Sequence, residues 1–180
     1  WQVNNLLPGP GVQMVQRVRD DIVTAGVDWS PDGLWRVIVE AARFSQNDTE
    51  FGIEAKTGYI NLSRRLGDVT PYVTVSRVLS APYQRQWAQR LRGNDLPAVI
   101  PGAALINLAQ HAAADTMVTY DQSSLALGLS YALAPNAKLK AEWMRTRIGS
   151  VTGSASPLPG TPYPSHSRID VLSLNVSFDF

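Results

Sequence analysis

In the last nine residues, Leu172, Leu174, Val176, Phe178 and Phe180 occupy every second position, and Ser173, Asn175, Ser177 and Asp179 fill the places between. Side chains of a strand point alternately to opposite faces, so this segment has one greasy face and one wet face. Helical geometry would scatter the large residues around a cylinder instead of collecting them. The pattern predicts a β-strand that meets an apolar medium on one side only.

The same alternation recurs upstream and predicts seven strands. Leu125, Leu127, Leu129, Tyr131 and Leu133 alternate with Ser124, Ala126, Gly128, Ser130 and Ala132. Leu139, Ala141 and Trp143 alternate with Lys138, Lys140 and Glu142. Val23, Ala25, Val27 and Trp29 alternate with Thr24, Gly26 and Asp28, and Trp35, Val37, Val39 and Ala41 with Arg36, Ile38, Glu40 and Ala42. Phe51, Ile53, Ala55, Thr57 and Tyr59 are expected on the apolar face, opposite Gly52, Glu54, Lys56 and Gly58. In the less regular stretch from Val69 to Leu79, Val73 and Val75 are expected on that face, opposite Tyr72, Thr74 and Ser76.

Short and long connections alternate along the chain. Turn formers cluster at Ser30-Pro31-Asp32-Gly33, Arg65-Leu66-Gly67-Asp68 and Ala134-Pro135-Asn136-Ala137. Between them lie a bend at Gln46 to Thr49, a long segment 82–118 and a Gly/Pro/Ser-rich segment 150–167. The long segment holds an Ala-rich run, Ala103 to Ala114, with the composition of a short helix. Tight periplasmic turns and longer extracellular loops are the rule in bacterial membrane barrels. If Phe180 lies at the periplasmic side, all three tight turns fall there too, and segments 1–16, 82–118 and 150–167 read as extracellular loops. Trp29, Trp35, Tyr131, Phe178 and Phe180 would then share one rim, at the depth where amphipathic rings favour a membrane interface.

Composition leaves this reading open and closes several others. The net charge of +1, from interspersed acids and bases, gives no reason to expect a nucleic-acid partner. With no cysteine there is no thiol chemistry and no disulfide. No stretch reaches the roughly 20 apolar residues of a spanning helix; Leu96 to Ala114 is interrupted by Pro97, Pro101, Asn107, Gln110 and His111. Barrel strands escape that test, because only one residue in two is apolar. Catalysis is not expected: His111 and His166 fall in loops, and Ser165-His166 is adjacency without the geometry of a triad. No phosphate-binding glycine loop or metal-ligand spacing calls for a cofactor.

From Leu125 onward the chain resembles the end of Gram-negative outer-membrane porins. The resemblance rests on Leu127-Gly128-Leu129-Ser130-Tyr131, a Pro-Asn turn, the basic strand Lys138 to Trp143, a loop, and Val171 to Phe180. It implies an antiparallel transmembrane β-barrel of roughly 16 or 18 strands, of which this chain would supply the C-terminal portion as a single domain. The same resemblance implies a homotrimer in the outer membrane, among lipid and lipopolysaccharide, passing small hydrophilic solutes by diffusion. The row Leu172, Leu174, Val176, Phe178 and Phe180 would be the membrane-insertion signature. A chain that starts at Trp1 without a signal peptide is expected to be part of a longer precursor. An energy-coupled receptor for siderophores or vitamins stays open as an alternative, then an outer-membrane enzyme or a soluble sandwich.

Charged residues on the wet face are the candidate pore lining: Asp28, Arg36, Glu40, Glu54, Lys56, Lys138, Lys140 and Glu142. Arg or Lys against lipid costs about 2–4 kcal/mol at mid-depth, so these side chains are expected to face water or each other. Opposed acids and bases in a narrow lumen would set ion preference. Arg77, Arg145 and Arg147 fall on the apolar face but near the outer rim, where their long side chains can reach headgroups or water.

Overall fold

The computed structural model describes residues 18–47, 52–152 and 165–178. The fold is all-β, built on one antiparallel sheet with strand order β1-β2-β3-β4-β5-β6-β7, so every strand pairs with its neighbours in sequence. The strands are β1 (Arg19–Trp29), β2 (Trp35–Asn47), β3 (Glu54–Arg64), β4 (Val69–Ser80), β5 (Tyr120–Ala134), β6 (Ala137–Thr152) and β7 (Arg168–Phe178). Two helices, α1 (Pro82–Gly93) and α2 (Ala103–Thr116), interrupt the connection from β4 to β5. Strands run from 11 to 16 residues, well beyond the usual five or so. Among the described residues the sheet is not closed: β1 and β7 each pair along one edge only.

Tight turns join the strands at one end. In the first, the Asp32 carboxylate accepts the backbone N–H groups of Leu34 (2.9 Å) and Trp35 (2.8 Å), and Gly33 takes a positive φ of 69°. Gly67, at φ 64°, turns β3 into β4. Glycine bears such angles without the steric cost of a Cβ. The other end carries the longer connections; the predicted loop at 1–16, most of 150–167, Phe51 and Phe180 lie outside the described residues.

Sequence expectation located the helix α2 but not α1. Pro82 opens α1, where its missing N–H costs nothing. The helix is tied to the sheet by the Gln84 amide, which bonds the Gly52 carbonyl and accepts from the Glu54 N–H, and by Arg85 Nε, which donates to the Ser80 carbonyl. Ala88, Met117 and Val151 form a small buried core there, with Trp87 and Leu91 packed on it.

Elsewhere the sheet buries little. Leu172 is 82% exposed, Val23 68%, Ile60 55% and Val75 54%. The described residues form no second sheet against this surface. Contiguous apolar surface on this scale marks a contact with something outside the described chain.

Candidate functional site

Register decides which residues share a face, because residues directly opposite in a ladder point the same way. Val27 stands opposite Val39, Val39 opposite Ile60, and Ile60 opposite Val75. Val75 then meets Leu125, while Val73 meets Leu127, Leu127 meets Trp143 and Trp143 meets Leu172. One apolar band thus crosses all seven strands. At its tight-turn margin sit Trp29, Trp35, Tyr131 and Phe178, with the Arg64 guanidinium 4.9 Å from the Trp35 ring centre. At its other margin Trp143 lies under Arg145, 5.1 Å from ring centre to guanidinium carbon.

Beyond Trp143 the same face turns ionic. Arg145 holds Asp170 through two hydrogen bonds of 2.8 and 3.2 Å, Arg77 reaches Asp121 at 3.0 Å, and Arg19 reaches Asp21 at 3.1 Å. Arg77, Arg145 and Arg147 therefore lie on the apolar side beyond its greasy part, as the sequence pattern implied. Asp121 also accepts the Ser150 N–H and hydroxyl and faces Arg85 of α1 at 3.8 Å, so one carboxylate ties β4, β6 and α1 to β5.

Two pore-lining candidates are on the wrong side. Glu54 stands opposite Ser45 and Lys56 opposite Arg43 and Leu79, which puts both on the face of the apolar band, near its ionic margin. Glu54 is bonded there to Arg43 at 2.8 Å. The alternation in β3 is real, but the strand runs on to Arg64 and its apolar face is carried by Ile60 and Leu62. Tyr59, expected on that face, points the other way, opposite Glu40. A shift of one residue in parity turns a whole strand over.

Six candidates do share the polar face: Asp28, Arg36, Glu40, Lys138, Lys140 and Glu142. Arg36 clamps Asp28 in a two-pronged pair at 2.5 and 2.9 Å. Lys140 Nζ lies 3.2 Å from Glu142 and 4.9 Å from the centre of the Tyr72 ring. The Tyr72 hydroxyl donates to Glu142 at 2.5 Å. Tyr72 was not among the candidates. The sequence did contain its signal, Gly128 inside a regular strand, which marks a close approach. Tyr72, Gly128 and Glu142 are consecutive members of one row across β4, β5 and β6, and a Cβ at Gly128 would overlap the Tyr72 ring.

The polar face is concave. Arg36 on β2 and Lys138 on β6 line one cavity of about 490 Å3, with Thr70 and Ser130 between them. Four strand spacings would hold these strands roughly 19 Å apart in a flat sheet. A second groove, of about 450 Å3, opens on the same face along Thr24, Gly26, Glu40, Ala42, Thr57 and Tyr59. The face is not uniformly polar: Ile22, Ile38 and Phe44 share it near one edge, and Met144, Ile169 and Val171 near the other.

No family model, curated protein or solved structure matches this chain. A wall with an apolar side and a charge-paired polar side is suited to separating lipid from a water-filled space. Among the described residues no group of three potential metal ligands comes together.

Proposed function

We propose that this sheet is part of the wall of a porin-type transmembrane β-barrel in a bacterial outer membrane, acting as a passive channel for small hydrophilic solutes and ions. The carrying observation is the unbroken apolar band from Val27 to Leu172 on one face, set against paired charges on the concave other face. Strands of 11 to 16 residues reach or exceed the roughly 9–11 that a tilted spanning strand needs. Unpaired edges are untenable in lipid. The free edges of β1 and β7 are accordingly taken as the places where further strands complete the barrel, to roughly 16 or 18 in all.

The aromatic margin with the tight turns is assigned to the periplasmic interface, and the ionic margin to the outer leaflet, where arginines would meet lipopolysaccharide phosphates. Homotrimeric assembly is proposed on the porin resemblance alone. The test is electrical: the full-length protein in planar bilayers should give a stable, voltage-independent conductance. Absence of any conductance would contradict the channel.

A further inference from the structure

The cavity at the tight-turn end of the polar face has a charge inventory unlike the rest of that face. Its lining carries Arg36, Arg65 and Lys138 against one carboxylate, Asp68. Higher on the wall Lys140 is matched by an acid, Glu142, at 3.2 Å. Arg36 is likewise matched, by Asp28. Arg65 is different: among the described residues its side chain donates only to the Gly67 carbonyl of its own turn, at 3.5 Å. The Lys138 side chain has no ion pair or hydrogen bond among the described residues. Thr70 and Ser130, directly opposite each other on β4 and β5, add two hydroxyls to the same basin.

We infer that Arg65 and Lys138, supported by Arg36, Thr70 and Ser130, form a subsite for small multivalent oxyanions at the inner mouth of the pore. The inference rests on the channel reading above and deepens it by naming a class of solute and a place where it pauses. A guanidinium offers paired donors to an oxyanion, an ammonium supplies a compact charge, and hydroxyls complete the shell. Cations left without acids in a recess concentrate anions from the adjoining solution. Lys140, although nearer mid-wall, contributes little because Glu142 cancels it.

The test uses the full-length protein in planar bilayers, with inorganic pyrophosphate added to one side at a time. Block should set in at lower concentration from the tight-turn side than from the loop side. The double variant Arg65→Gln/Lys138→Gln should raise the half-blocking concentration from the tight-turn side by about tenfold and abolish the sidedness. The paired variant Lys140→Gln/Glu142→Gln should leave it within about twofold, because it removes an acid and a base together and leaves the net charge of the wall unchanged. Equal block from both sides, or a double variant that blocks like the parent, would overturn the subsite while leaving the channel intact. A protein that carries no current would overturn the channel reading and the subsite with it.

Discussion

The Tyr72 hydroxyl on β4 donates a 2.5 Å hydrogen bond to Glu142 on β6, passing over the strand between them. Gly128 makes the reach possible, since it stands directly between the two in the ladder and offers no side chain. Gly128→Ala should therefore displace the ring and cost about 1–3 kcal/mol, the usual range for overpacking. Tyr72→Phe keeps the packing and loses only the hydroxyl, which should cost about 1 kcal/mol. Unfolding in detergent by urea would rank them. Equal stability of Gly128→Ala and the parent would mean the ring does not rest on Gly128.

Parity in β3 gives a second test, because the register and the simple alternation disagree there. Ile60→Arg should be damaging, by about 2–4 kcal/mol if it meets lipid near mid-depth. Asn61→Arg, on the concave face beside Thr74, should be near neutral. Folding yield into lipid vesicles compares the two directly. The reverse order would mean that the β3 register is wrong.

Asp121 ties three elements to its own strand β5, so its charge should govern the helical connection. Asp121→Asn weakens the pairs to Arg77 and Arg85 and the bonds from Ser150. Tryptic cleavage within 82–118, at Arg85, Arg90 or Arg92, should accelerate several-fold while the sheet stays protected, since weakly held segments open first. Unchanged cleavage would assign the hold on α1 to Gln84 and the small apolar core instead.

The Asp32 turn predicts a pH effect of definite sign. Hydrogen bonds from the Trp35 and Leu34 amides hold its carboxyl below the ordinary aspartate range. A depressed folded value means that the turn's contribution is complete above roughly pH 3.9, and is lost as pH falls through the lower folded value. Unfolding midpoints of the parent and Asp32→Asn should differ at neutral pH and converge as the medium becomes strongly acidic. A gap that persists in strong acid would remove the carboxylate from the explanation.

Strand β5 and the tight-turn ends of β6 and β7 were legible because large apolar residues alternate there with small, polar or charged ones, whereas from Met144 and Val171 toward the loops the alternation breaks. In β3 the apolar positions include Gly58 and Lys56, and the polar ones Tyr59 and Ala55, so period two is visible but hydropathy does not choose the face. Only pairing with β2 and β4 chooses it. The helix α1 was missed because it consists mostly of charged and amide side chains and lacks the apolar run that marks α2, and its hold on the sheet is made by Gln84 and Arg85 with backbone groups. Likewise Tyr72 could be joined to Gly128 and Glu142 only through the register, although each was visible as a residue. The matched pair Lys140–Glu142 and the less matched Lys138 looked equivalent in the sequence, since both are lysines on one face of one strand.

The central claim is that the two faces of this sheet meet lipid and water respectively, and the absence of cysteine allows it to be read directly. Single cysteines placed at residues 172 to 177 of the full-length protein, embedded in bilayers, can be challenged with a charged maleimide that does not enter lipid. Reaction is expected at positions 173, 175 and 177 and blocked at 172, 174 and 176, the positions opposite Trp143, Ala141 and Leu139 in the ladder. Comparable labelling at both sets, or labelling of the even set alone, would contradict the account.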